Sequence, residues 1–250
     1  MSCSITEAII KPLGDSALIV QLGDELNPAT HQKVQALSAL LDHPFDGFIE
    51  SVPAFTNITI YYNPVVVHHS IMNNDKNHDS PMTPFQKIRL VVNGLLQQMD
   101  EKQVFGGRLV EIPVLYGGEY GPDLDEVASF HKMSAEEVIR LHTKNECLVY
   151  MLGFAPGFPF MGGMDERIAT PRKKSPRASI VPGSVGIAGK QTGIYPLETP
   201  GGWQIIGRTP LDLFQPHLTP PTLLQAGDRI KFVQLSPEQY KDIRSKTNDC

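Results

Sequence analysis

The sequence predicts an α+β protein in two parts: an N-terminal unit of the split βαβ (ferredoxin-like) type and a C-terminal β-barrel, joined by a short helical connector. Three observations support this. The first part alternates strand-like and helix-like apolar periodicity in the order strand, helix, strand, strand, helix, strand. The second part, above all Leu148 to Thr209, concentrates Gly and Pro between short apolar runs. Gly supplies positive φ and Pro removes a donor, so short strands and tight turns survive there and a long helix does not. The length of 250 residues accommodates two cores. The expected boundaries are 1–118 for the α/β unit, 119–146 for the connector and 147–250 for the barrel.

Taken in order, Ala17 to Leu22 (ALIVQL) is a short apolar strand. Asn27 and Pro28 open a helix as N-cap and first helical residue. Val34, Leu37, Leu40 and Leu41 give it one apolar face, and His43-Pro44 closes it. Phe48 to Pro53 and Asn57 to Tyr62 read as two strands joined by a tight turn. MNNDKNHDSPM is polar and reads as a mobile surface loop. Phe85 to Met99 is an amphipathic helix with Ile88, Val91, Val92, Leu95 and Leu96 inward, and Leu109 to Leu115 is the strand that completes the first sheet. The connector helices are Asp123 to His131 and Ser134 to His142, the second opened by a capping box of Ser134 and Glu137. Beyond Cys147 come the short runs Ile180-Val181, Val185 to Ala188, Gln204 to Ile206 and Arg229 to Val233, a spacing suited to a barrel. Ser236 to Lys246 is polar and reads as an exposed tail helix.

Composition excludes several classes. With 41% hydrophobic and 20% charged residues the chain is ordinary for a soluble globular protein, and no apolar run approaches the length of a membrane span. A net charge of −5 disfavours nucleic acid as a partner. The 3 cysteines are far apart and form no CxxC, which argues for reduced thiols in a cytoplasmic protein, with Cys147 as a small core residue. The N-terminus lacks the basic and apolar regions of a signal peptide. The 8 histidines show no metal-ligand spacing, so no metal and no prosthetic group is expected.

The candidate ligand groups cluster in the Gly/Pro-rich stretch. Arg172-Lys-Lys-Ser-Pro-Arg177 is the densest positive charge, able to hold a phosphate or carboxylate through Arg172 and Arg177, or else to act as a solvated edge-protecting loop. Val181 to Thr192 invites two motif readings, and both fail. Position 191 is Gln where a P-loop needs Ser or Thr, and Pro182 stands where a nucleophile elbow needs Gly. Its glycines are barrel corners or points of close ligand approach, with Gln191 and Thr192 as hydrogen-bonding candidates. Phe154, Phe158 and Phe160 are packed among Gly and Pro and can wall a pocket; Trp203 is either a barrel plug or a pocket wall. Acid–base chemistry would rest on Glu198, Asp165 or Asp228, each of which is also a plain turn residue.

PVLYGGEYGPDLDEVA, LVYMLGFAPGFPFMGG, ATPRKKSPR and VPGSVGIAGKQTGIYPLETPGGWQIIGRTPL together resemble the family of the 5-oxoprolinase B subunits. That family includes the KipI-type inhibitors of sporulation histidine kinases and allophanate hydrolase subunits, and is related to the carboxyltransferase region of urea carboxylase. The resemblance is strongest from Leu115 to Val233 and implies a cyclophilin-like barrel. It implies a cytoplasmic bacterial hydrolase component, inactive alone, working with companion A and C subunits (KipA-like). The implied reaction is opening of the 5-oxoproline lactam to glutamate, with ATP as co-substrate of the complex. Phosphorylating the lactam oxygen makes an unstrained amide open to water, and this needs cationic clamps and a carboxylate. By type and position, Lys190 and Glu198 are the catalytic candidates, and Arg172, Arg177, Gln191, Thr192 and Tyr195 the binding ones. Two alternatives stand beside this reading. One is a kinase-binding inhibitor anchored by exposed aromatics such as Phe158 or Phe160. The other is an allophanate- or urea-processing carboxyltransferase component, which would need a biotin carrier, since the chain has no Met-Lys-Met segment.

Overall fold

The computed structural model of the chain describes residues 8–42, 44–70, 82–99 and 107–248. Two compact units result, Met1–Phe105 and Gly106–Cys250. The expected polar loop at 72–82 and the closing His43 fall almost wholly outside the described residues.

In the first unit, strands β1 (Ile9–Pro12), β2 (Ala17–Gln21), β3 (Phe48–Pro53) and β4 (Asn57–Tyr62) form an antiparallel sheet in the order β1-β2-β4-β3. Helices α1 (Pro28–Leu40), α2 (Pro64–His69) and α3 (Pro84–Gln98) complete it. Strand alternation sends Leu18, Val20, Ile58, Ile60 and Tyr62 into one core with Val34 and Leu37 of α1 and Ile88 and Val92 of α3. Asn27 caps α1 by accepting from Thr30 N at 2.8 Å, and Thr83 and Gln86 form a full capping box on α3.

The split βαβ expectation needs correcting at its last strand. Strand β5 (Leu109–Tyr116) lies in the second unit, not in this sheet. The edge beside β2, which that arrangement reserves for its final strand, is taken by β1 from the chain's beginning. Ile9–Pro12 is too short and too mixed in polarity to announce itself.

The second unit contains helices α4 (Leu124–Phe130) and α5 (Ala135–Lys144), strands β6 (Glu146–Leu152), β7 (Pro159–Gly162), β8 (Arg177–Ile180), β9 (Ser184–Ala188), β10 (Gln191–Ile194), β11 (Thr199–Gly201), β12 (Gln204–Arg208) and β13 (Arg229–Gln234), and helix α6 (Pro237–Asn248). Seven strands close a barrel in the order β10-β7-β6-β13-β5-β12-β9, and β11 and β8 form a separate ribbon. β13 runs parallel to β5 over six residue pairs and antiparallel to β6 on its other side. Gly189 turns the β9–β10 hairpin at φ +58, the corner role expected of the glycines here.

The two helices expected as a bridge belong to the barrel's own core instead. Val127 of α4 and Val138 and Leu141 of α5 pack with Ile112, Val149, Ile187 and Phe232. Ser134 caps α5 through Glu137 N at 3.2 Å, but the Glu137 carboxylate turns to Arg140 at 2.6 Å rather than closing the box. Cys147 is buried as expected, and burial pushes its thiol up to about 12. Tyr240 of α6 is buried on Tyr120, so the tail helix is docked by one face.

His142 lies wholly inside the barrel. Its Nδ1 faces Tyr116 Oη at 2.8 Å and its Nε2 faces Thr192 Oγ1 at 2.9 Å. Thr192 donates its one proton to Gly186 O at 3.1 Å, so His142 Nε2–H donates to Thr192 and Tyr116 donates to Nδ1. Burial lowers His142 to about 3. The unfolded chain takes up that proton near pH ~6.5, so between these values it holds more protons than the folded chain and stability falls as pH falls. His31 in the first unit, lowered by burial to about 4, acts with the same sign. The unfolding free energy of the wild type from urea titrations is expected to drop on acidification from about pH 6.5, by up to about 1.4 kcal/mol per pH unit for each group. A His142→Gln chain, less stable at neutral pH, should show a shallower acid decline; an equally steep one contradicts this.

Candidate functional site

The hub of the site is Phe158, 1% exposed. Around it, by ring centroids, stand Phe160 at 4.7 Å, Tyr195 at 5.1 Å, Trp203 at 5.4 Å and Phe154 at 5.7 Å. Most of these contacts are edge-to-face, the arrangement the ring quadrupoles prefer. The segment Gly153 to Phe160 places the three phenylalanines at three depths: Phe158 buried, Phe160 half-buried at the start of β7, and Phe154 69% exposed. Phe154 holds φ +68, a conformation rare for a bulky residue, at the exposed rim of the cluster.

These rings line a pocket of about 370 Å³, with Pro176, Pro200, Gly201 and Gly202 completing its walls. Trp203 settles between the two roles expected of it: it is 4% exposed and also a wall. Two polar side chains enter the lining, Arg172 and Tyr195. The Arg172 guanidinium carbon stands 5.8 Å from the Trp203 ring centroid, in cation–π range. Burial raises the Tyr195 phenol, while the backbone N–H of Trp203 and the nearby Arg172 and Arg177 guanidiniums pull it back in part. The phenol therefore stays protonated at neutral pH and keeps its own O–H to donate.

A buried ionic network holds these walls. Asp123, 2% exposed, accepts from Arg177 Nη2 at 2.6 Å, from Lys173 Nζ at 2.9 Å and from Ile205 N at 2.7 Å. Burial alone would raise its carboxyl; the hydrogen bonds from Arg177, Lys173 and Ile205 N outweigh that and hold it below the usual range. Lys173 also reaches Glu126 at 2.7 Å, and its backbone N–H bonds Gly202 O at 2.7 Å. Gln204 Nε2 bonds Pro171 O at 3.1 Å. The loop carrying Arg172 is thereby laced to both sides of Trp203.

The other expected site residues lie elsewhere. Arg177 is not an open anion ligand, because its Nη2 is committed to Asp123. Thr192 is 0% exposed and faces His142 inside the barrel. Gln191 opens β10 opposite Ala188, outside the pocket lining. Lys190 pairs with Glu166 at 2.9 Å, both side chains 70% exposed, a pair of little energetic consequence. Glu198 accepts from Ser179 at 2.7 Å on the surface. Neither has the burial or the convergent partners of a catalytic group. Asp165 and Asp228 are turn residues, bonded to Arg167 and Arg108 respectively. Asp123 was missed because, behind Gly121-Pro122, it reads as no more than the first residue of a connector helix. The usable signal was an acid fifty residues upstream of the chain's densest cationic run, the acid such a run would need if folded inward.

Residues 8–224 match the family described as carboxyltransferase domain, subdomain C and D. The chain is 50% identical to the 5-oxoprolinase B subunit of Bacillus subtilis (strain 168), over 96% of this chain and 98% of that one. The chain belongs to the family of 5-oxoprolinase B subunits. Proteins similar to it are also represented among solved structures. TTHA0988 is 33% identical with a TM-score of 0.72 over 91% of this chain and 40% of that one, so this fold is there part of a longer polypeptide. The K. lactis urea amidolyase matches 97% of this chain and 16% of its own at a TM-score of 0.74 and 16% identity, a likeness of fold alone. Among the described residues no helix is long and apolar enough to cross a membrane, and no cluster of His, Cys, Asp and Glu could hold a metal ion.

Proposed function

We propose that this chain is the B subunit of an ATP-dependent 5-oxoprolinase and that its barrel pocket seats the lactam substrate. In that reaction 5-oxo-L-proline, ATP and two waters become glutamate, ADP and phosphate. The observation that carries the reading is the pocket: flat aromatic walls with Arg172 and the Tyr195 hydroxyl as its polar side chains, in a chain alike along its whole length to proteins of that name. A small planar ring with one carboxylate suits such walls. The ring lies against Trp203 and Phe160, and the carboxylate accepts hydrogen bonds from the guanidinium's paired N–H groups and from the phenol O–H.

The residues of the pocket do not fit a triphosphate, which needs several cations or a nest of backbone N–H groups where this lining offers one guanidinium. Nor does the lining hold a carboxylate to direct water. The pocket therefore binds and orients, and the groups that activate ATP and water come from the companion A and C subunits, so the chain alone is expected to be inactive. The histidine-kinase reading asked for Phe158 or Phe160 as an exposed anchor, and Phe158 is buried and Phe160 half-buried.

Reconstitution tests the proposal. With the A and C subunits present, ATP-dependent glutamate formation from 5-oxo-L-proline is expected to require this chain and to be absent from the chain alone. Equal glutamate formation without it would sink the assignment.

A further inference from the structure

We propose that Asp123 is the positioning residue of the aromatic pocket: it ties together the loop that carries Arg172, the strand that carries Arg177 and the strand that follows Trp203, and so fixes the pocket's anion-binding geometry. The proposal rests on the pocket reading above but not on the identity of the ligand.

One ordinary hydrogen bond is not made. Asp123 stands at the N-cap of α4, where an Asp usually accepts from the second or third helical N–H, yet its side chain makes no capping bond. Forgoing a cap is a cost to the helix that the carboxylate's other bonds must outweigh. Both carboxylate oxygens are used at longer range. Oδ1 takes Lys173 and Arg177, and Oδ2 takes Ile205 N. These donors lie 50, 54 and 82 residues away along the chain.

Each contact bears on a wall. Lys173 adjoins Arg172, and its backbone bonds Gly202, itself a wall residue. Arg177 pairs in register with Gly201, another wall residue, and follows Pro176, a third. Ile205 is two residues past Trp203 and packs in the same aromatic cluster. Lys173 and Arg177 thus clamp the Arg172–Pro176 loop at both ends onto one buried charge. With that charge gone, Arg177 loses its ionic partner and Lys173 keeps only Glu126 and Gln204 for its ammonium, so the loop is held more loosely and Arg172 is less firmly placed on the Trp203 face. Arg177 Nη1 is already a buried donor without a partner, so its guanidinium has no second acceptor to fall back on.

Trp203 is the chain's single tryptophan and reports on the pocket directly. The test compares wild type, Asp123→Asn, Lys173→Gln and, as a control, Asp228→Asn, an equally buried acid of the same unit that serves Arg108 away from the pocket. Acrylamide quenching of Trp203 is measured without ligand, and the fluorescence response to 5-oxo-L-proline is then titrated. Both Asp123→Asn and Lys173→Gln are expected to raise the quenching constant and weaken the probe by about tenfold or more, the first more than the second, while Asp228→Asn loses stability but matches wild type in both readouts. Lys173→Gln keeps the test decisive if Asp123→Asn does not fold. Quenching and affinity unchanged in the pocket variants, or changed equally in Asp228→Asn, would overturn the positioning role. A wild type that ignores 5-oxo-L-proline would instead count against the ligand reading, and quenching would still judge Asp123.

Discussion

Arg172→Met is expected to weaken 5-oxo-L-proline binding by roughly tenfold to a hundredfold while leaving the fold intact. A hydrogen bond to a charged group contributes about 1.5–3 kcal/mol, and each 1.4 kcal/mol is about tenfold in affinity. Arg172 is the cation among the pocket walls, so its loss leaves a carboxylate facing only the Tyr195 phenol. The fold pays little for the change, because the contact that Arg172 makes is with the Trp203 face and methionine retains much of that packing. Arg172→Lys should recover part of the affinity, since an ammonium supplies the charge without the planar fork. The check is a Trp203 fluorescence titration together with urea unfolding. Unchanged affinity in Arg172→Met would remove the residue from the site.

The second large effect is expected at Gly193. A Cβ there would meet Phe158 Cζ at 2.9 Å, the Trp203 ring at 2.9 Å and Pro159 O at 3.0 Å. None of the three can retreat cheaply: one is backbone, and the rings are held by their neighbours and 1% and 4% exposed. Gly193→Ala is therefore expected to cost about 1–3 kcal/mol by overpacking and to change the near-UV signal of Trp203. Gly94→Ala is the contrast. That glycine lies inside α3 with nothing within 4 Å of its would-be Cβ. Its replacement should be neutral or stabilise by up to about 1 kcal/mol. A Gly193→Ala chain as stable as wild type would show that the aromatic cluster is looser than its distances imply.

Much of the architecture was legible in the chain because it rests on local rules. Asn27-Pro28 and the Ile88 and Val92 stripe set two helices, and the Gly/Pro density past Cys147 set the barrel. The failure came where pairing is non-local. Leu109–Tyr116 has strand periodicity, but nothing in its own residues says whether it joins β2 or β13, and the competitor for β2 was a four-residue strand. The site divided along the same line. The aromatic run was visible as a possible pocket wall, and Arg172 as one member of a cationic run that could equally have been a solvated loop. Thr192 and Gln191 were misplaced because a strand's alternation decides inside from outside, and a register cannot be read off four residues. Asp123 was hidden by a position that had a sufficient local explanation.

The parallel seam between β5 and β13 also constrains how the protein is made. The first and last strands of the barrel unit are neighbours, and Arg229–Gln234 is the stave that separates β5 from β6. On a ribosome the earlier staves emerge well before this one, with their lateral N–H and C=O groups open to water or to other chains. Closure waits until Arg229–Gln234 has emerged, and the long loop that must then be cinched makes it a slow event. A nascent chain halted short of Arg229 would carry every side chain of the pocket and no cylinder to hold them.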